Sequence, residues 1–247
     1  ETADLLTSEA VKVLLPDLSA GCSMADMAQW DDVSDCWDTL EEILPGERII
    51  PITYVNSSAA VKAFVGMHGG ACCTSSNARQ VFEWAREEAP DARVLFLPDQ
   101  HLGRNTAHAH GITTDVVAAR TGEVARTAVW NPRAVNGGLP SQAYRDAKVI
   151  LWAGHCSVHR LFRTEHIEAL RASEPDVTVL VHPECEQAVV DLADCSGSTE
   201  YIIHIVESAP PGSKFAIGTE VHLVARLAKA AAKRGVEVRS LSDCQCL

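Results

Sequence analysis

The chain has no stretch approaching the roughly 20 apolar residues a helix needs to span a bilayer. It also has no basic segment leading into a short apolar one, so no membrane span or signal peptide is visible. With thiols that oxidation would destroy, that absence predicts a cytoplasmic protein. Positive charge is scarce: 21 Lys and Arg against 33 Asp and Glu leave a formal charge of −12. A nucleic-acid partner is therefore not expected, because phosphate binding needs a basic surface. No Cys-x-x-Cys pair occurs, which removes the zinc-ribbon reading. An initiator methionine is missing too. The chain opens at Glu1 inside a helix-like segment and stops just after Cys246, so a fragment cut at both ends is expected.

What remains is ordinary globular material, 247 residues and 47% hydrophobic, enough for a core and for one or two domains. Nine cysteines (22, 36, 72, 73, 156, 185, 195, 244 and 246) are odd in number and irregular in spacing. A disulfide framework does not fit that pattern, and most of them read as buried packing residues. Apolar runs at 11–15, 49–55, 94–97, 149–152, 177–181 and 215–217 read as strands. Helical periodicity occupies 58–64, 77–88, 141–146, 164–172, 186–193, 199–208 and 220–234. Continuous apolar strands alternating with helices predict parallel sheets covered on both faces. Leu15-Pro16-Asp17, Leu97-Pro98-Asp99 and Val181-His182-Pro183-Glu184 end their runs alike, which suggests duplication of one βα unit. The Gly-, Asn-, Thr- and Ala-rich stretch from about 101 to 140 is the candidate for an insertion.

Chemistry gathers behind the strands, where open α/β sheets bind ligands. Gly154-His155-Cys156-Ser157-Val158-His159 puts a thiol and two imidazoles behind the 149–152 run. Cys22 and the Cys244/Cys246 pair also lie behind apolar runs, and thiolates select iron–sulfur clusters, zinc or copper(I). His182-Pro183-Glu184-Cys185 offers an imidazole and a carboxylate suited to acid–base work if burial separates their pKa values. Tyr54-Val55-Asn56-Ser57-Ser58 and Cys73-Thr74-Ser75-Ser76-Asn77 each open a helix with hydroxyls, which suits either an anion or plain capping.

Taken in order, Tyr-Val-Asn-Ser-Ser-Ala at 54–59, Cys-Thr-Ser-Ser-Asn-Ala at 73–78, Leu-Pro-Asp-Gln-His-Leu-Gly at 97–103 and Gly-His-Cys-Ser-Val-His at 154–159 form a set. His-Pro-Glu-Cys at 182–185, Gly-Ser-Thr at 197–199 and Gly-Thr-Glu at 218–220 complete it. The set resembles the quinolinate synthase family, in its longer form, over essentially the whole chain. The resemblance implies repeated three-layer αβα domains with parallel sheets, in a pseudo-threefold arrangement around a central cluster site. Residues 1–28 would be the end of a first domain, 29–157 a second carrying the insertion, and 158–247 a third.

The resemblance also implies the chemistry. Such enzymes condense iminoaspartate with dihydroxyacetone phosphate to quinolinate in NAD biosynthesis, releasing phosphate and two waters. Each domain gives one cysteine to a [4Fe–4S] cluster: by motif Cys22, Cys156 and Cys246, with Cys244 the runner-up for the third. The fourth iron stays open and can act as a Lewis acid. Tyr54 and Asn56 would bind substrate, with Val55 between them and Tyr54 a proton donor near that iron. Ser75 and Thr199 would hold carboxylate or phosphate oxygens. His182 and Glu184, with Pro183 between them, would position substrate and move protons, and His159 would line the pocket beside Cys156. An L-aspartate oxidase or an aspartate dehydrogenase would supply the unstable imine. Because most of the first domain is absent, the fragment alone is expected to be inactive. Two other functions fit the residues: a different open-iron hydro-lyase, and a metal-free phosphate-binding α/β module, which would purify colourless where a cluster protein is brown.

Overall fold

The computed structural model describes residues 2–15, 17 and 20–242. A short helix α1 (Thr2–Leu6) leads into residues 11–15, expected as a strand. They form none. Val11, Leu14 and Leu15 are largely exposed, and among the described residues no strand pairs with them as an extended apolar segment needs.

A 3-10 turn at Ala25–Met27 precedes α2 (Trp30–Ile43), whose Val33, Cys36, Trp37, Leu40 and Ile43 recur at helical spacing and are buried. The chain then alternates: β1 (Ile49–Tyr54), α3 (Ala59–Met67), β2 (Ala71–Cys73), α4 (Ala78–Glu88), β3 (Arg93–Leu97), α5 (Gln100–Ala109), α6 (Asp115–Thr121), β4 (Thr127–Trp130), α7 (Ser141–Asp146) and β5 (Val149–Trp152). Those five strands form one sheet in the order β2-β1-β3-β5-β4, every pair parallel. Residues 101–140, expected as an insertion, thus contain most of α5, all of α6, and β4, which pairs with β5 along its whole length.

The second half repeats the scheme with α8 (Thr164–Ser173), β6 (Thr178–Val181), α9 (Gln187–Leu192), β7 (Cys195–Ser196), α10 (Thr199–Ser208), β8 (Lys214–Gly218), α11 (Val221–Ala232) and β9 (Glu237–Ser240). Its sheet is also wholly parallel, ordered β7-β6-β8-β9. Both sheets share one core: the first strand lies between the second and the third, so the order reverses beside β1 and again beside β6. Ligands bind beyond the carboxyl ends of strands at such a reversal. The strands of β1, β3, β5 and β6 are buried nearly throughout, as the continuous apolar runs require.

The two halves are tied by polar contacts that single out their registration. Asn105 on α5 donates from Nδ2 to the carbonyls of Pro183 (2.8 Å) and Cys185 (2.9 Å). The Thr114 hydroxyl, which caps α6, donates to Gln187 Oε1 at 2.7 Å. The Ala25–Met27 turn is held to β5 by Trp152 Nε1 donating to Met27 O at 2.7 Å.

β3 and β5 meet again just past their ends, where Asp99 and Gly154 form an isolated parallel bridge. Gln100 N donates to Gly154 O at 3.0 Å, and a Cβ on Gly154 would sit 2.2 Å from Pro98 O. Backbone cannot retreat as a side chain can. Gly154→Ala is expected to cost about 1–3 kcal/mol, the usual penalty of overpacking, read as a lower urea midpoint at an unchanged slope. A midpoint equal to that of the parent protein would show that the crossing is not tight.

Candidate active site

The residues that could do chemistry stand at the carboxyl ends of five strands from both sheets. Tyr54 ends β1, Asp99 follows β3, Cys156 follows β5, His182 and Glu184 follow β6, and Thr219 follows β8. Between them lies a cavity of about 380 Å3 lined by Tyr54, Asn56, Cys156, His159, His182, Glu184 and Thr199, with Thr219, Glu220, Leu223 and Arg226 on the α11 side. Seven of the residues singled out from sequence are therefore brought together.

The others fall differently. Val55 is tied into the sheet, its N–H donating to Cys73 O at 2.7 Å, and its side chain packs with the β1–β3 core instead of the cavity. Pro183 contributes the carbonyl that Asn105 holds. Ser75 does not line the cavity but is near enough to the Tyr54 hydroxyl to work against its raised pKa. Cys22 is exposed, two residues before the buried Met24; Met24 shares with Tyr54 an apolar cluster that Cys156 packs against. Cys244 and Cys246 lie outside the described residues. Of the two hydroxyl turns, the first is a cap, Ser58 accepting from Val61 N on α3; the second gives α4 no side-chain cap, Asn77 Oδ1 instead accepting from Thr74 N at 2.6 Å.

Glu184, 2% exposed, organises the floor. Its Oε2 lies 2.7 Å from His159 Nδ1 and 3.9 Å from His182 Nδ1, and the two imidazoles stack with centroids 4.5 Å apart. Burial alone would raise its pKa. The contact and charge of His159 outweigh that, helped by His182 and Tyr54, and the carboxyl is held below its ordinary value. His182 is pushed down to about 4, first by burial and then by His159, so it is neutral at pH 7. Burial, and after it the Glu184 carboxylate, push the Tyr54 hydroxyl far up, and it keeps its proton.

Asp99, within Leu-Pro-Asp-Gln-His-Leu-Gly, has no role that the sequence alone assigns, and it is fully buried. Its Oδ1 accepts from Leu102 N at 2.6 Å, capping α5, and its Oδ2 accepts from Cys156 N at 3.1 Å. Burial and then the charge of Glu184 push its pKa up to about 7. Two neighbouring carboxyls are thus driven apart, one ionised and one able to carry a proton near neutrality.

The atoms that could ligate a cation are close: Cys156 Sγ, a ring nitrogen of His159 and a Glu184 oxygen lie within 4.8 Å of one another. Glu184 Oε1 is buried without a hydrogen-bond partner among the described residues, and His159 Nδ1 is not aligned for one despite its short distance. Unpartnered buried polar atoms in a cavity fit a bound group. The Cys156 thiol is pushed up to about 11 by burial and then by Glu184, so it becomes a thiolate only against a cation. This donor set fits a thiolate-bound metal.

The whole chain, residues 1–247, matches the family model described as Quinolinate synthetase A protein. A quinolinate synthase of Corynebacterium glutamicum is 55% identical over 92% of this chain and 55% of its own length. The quinolinate synthase of Acidobacterium capsulatum is 52% identical over all of this chain and 63% of its own, and that of Bacillus subtilis is 49% identical over 100% and 63%. The chain spans between 55% and 63% of these relatives. With the motifs, the parallel sheets and the cavity in hand, the chain belongs to the quinolinate synthase family.

Proposed function

We propose that the complete protein condenses iminoaspartate with dihydroxyacetone phosphate to quinolinate, releasing phosphate and two waters, and that this chain supplies most of the site. The observation that carries the reading is the group of half-buried Cys156 with buried His159 and Glu184, on a cavity lined also by Tyr54, Asn56 and Thr199. Residues 1–28 would close a first αβα domain, 29–157 form the second and 158–247 the third, in a pseudo-threefold arrangement.

Cys156 would hold a [4Fe–4S] cluster with Cys22, whose segment is pinned beside β5 through Met27, and with Cys246 or Cys244. When bound, a cluster with three protein thiolates keeps one iron open and supplies Lewis-acid polarisation of a substrate oxygen. The chain's own residues do the rest. Glu184, ionised and desolvated, takes a proton from substrate carbon or nitrogen, and its lowered pKa keeps it available at neutral pH. Tyr54 keeps its proton and donates it, or a hydrogen bond, to an oxygen that develops charge. His182, neutral and stacked on His159, orients substrate and accepts hydrogen bonds. Asn56 and Thr199, exposed at the rim, bind carboxylate or phosphate oxygens. Asp99 sets the Cys156 backbone and does not touch substrate.

The full-length protein purified without oxygen is expected to be brown, with about four irons per chain, and to make quinolinate from the two substrates. Cys156→Ser should lose both iron and product. A colourless wild-type protein, or a serine variant that retains iron and turnover, would overturn the reading. Glu184→Gln removes the base without changing its size, and kcat should fall by about 10²- to 10⁴-fold, with iron content kept. A kcat near that of the parent enzyme would take Glu184 out of the proton path.

Asp99 makes a thermodynamic test. Its folded pKa of about 7 lies above its ordinary 3.8, so the native state binds the extra proton between those values. Stability conferred by this group is present below about pH 4 and falls as pH rises to 7. The advantage of the parent over Asp99→Asn should therefore shrink from pH 5 to 7 in urea titrations. An advantage that stays constant or grows would mean that Asp99 is ionised throughout.

A further inference from the structure

The cavity has a charge problem that its floor does not solve. Every substrate of the proposed reaction is anionic, and the carboxylates lining the cavity are negative: Glu184 inside and Glu220 at the rim. His182 is neutral. Among the described residues lining the cavity, Arg226 is the one lysine or arginine.

Its placement follows from α11. Glu220 caps that helix and Val224, Leu227 and Ala231 turn into the core. Glu220, Leu223 and Arg226 recur every three residues, which puts them on one face, and all three line the cavity. Glu220 does not neutralise the arginine, because its carboxylate is already engaged at the helix end, accepting from His222 N at 2.8 Å and Leu223 N at 2.9 Å. Arg226 has no hydrogen bond or ion pair among the described residues, unlike Arg48, Arg79, Arg93, Arg104, Arg171 and Arg239, each of which meets a carboxylate.

We infer that Arg226 is a substrate-positioning residue that takes an oxyanion, phosphate or carboxylate, of one incoming substrate at the cavity mouth. The inference rests on the function proposed above and adds to it a residue whose role neither the motifs nor the comparisons assign. A guanidinium offers paired donors matched to either group and keeps its charge at any working pH. At the rim it would attract and orient, while proton transfer stays with Glu184 and Tyr54.

The test uses the full-length, cluster-loaded enzyme with Arg226→Gln and Arg226→Lys. Calorimetric titration with dihydroxyacetone phosphate, and separately with aspartate in place of the unstable imine, reads binding without turnover. Arg226→Gln should weaken one of the two by about 10- to 100-fold, the worth of a charge-assisted hydrogen bond, and the lysine variant should recover part of the loss. Loss confined to the triose phosphate identifies the phosphate as the partner, and loss confined to aspartate identifies a carboxylate. In kinetics the KM of that substrate should rise with kcat nearly unchanged, and added salt should narrow the gap between parent and variant. Parent-like affinities for both ligands, or a fall in kcat with both KM values intact, would overturn the inference. Absence of quinolinate from the parent enzyme would instead sink the function, and the titrations would still decide Arg226.

Discussion

A carboxylate buried to 2% exposure can stay ionised only if its surroundings return what water supplied. Glu184 meets that condition through His159, His182 and Tyr54, drawn from the ends of three strands. The rest of the site takes its state from this one charge. It adds to the burial that keeps the proton on Tyr54, it helps hold Asp99 protonated, and it raises the Cys156 thiol. Removing the charge would take away a shared influence on Tyr54, Asp99 and Cys156 and change several protonation states at once.

The topology explains why so many groups converge. Parallel strands send every carboxyl end to the same edge of a sheet, and the order reversal beside β1 and β6 leaves a gap there. Two such edges facing each other give a cavity floored by short post-strand segments and walled by helix starts. Asp99 uses this arrangement twice, ending one strand's turn and fixing the backbone of the next with a single side chain.

Much of this was legible in the sequence because buried parallel strands are continuous apolar runs. Residues 149–152 and the helix 199–208 fall where periodicity puts them. The run at 11–15 has the same composition and forms no strand, since apolarity signals burial only where a partner surface exists. β2, β4, β7 and β9 were missed for a related reason: they are edge strands, three or four residues long or fewer, with polar or half-buried positions. Among site residues, Tyr54, His159, His182 and Glu184 were readable from motifs, whereas Asp99 and Arg226 were not. Asp99 acts through a neighbour's N–H, and Arg226 depends on which face of α11 the fold turns inward; neither leaves a local pattern.

The amide of Asn105 has a wider consequence. Both of its hydrogens go to carbonyls that bracket Glu184 in the chain, from a helix that begins at Asp99. The two buried carboxyls, Asp99 and Glu184, are thus mounted on one bracket, held by a side chain that lies on the helix Asp99 caps. Any hinge-like parting of the two sheets would strip two buried carbonyls of their donor, which is costly. The seam between the sheets is thus braced shut, and the cavity's mouth lies instead beside Asn56, Thr199 and Arg226.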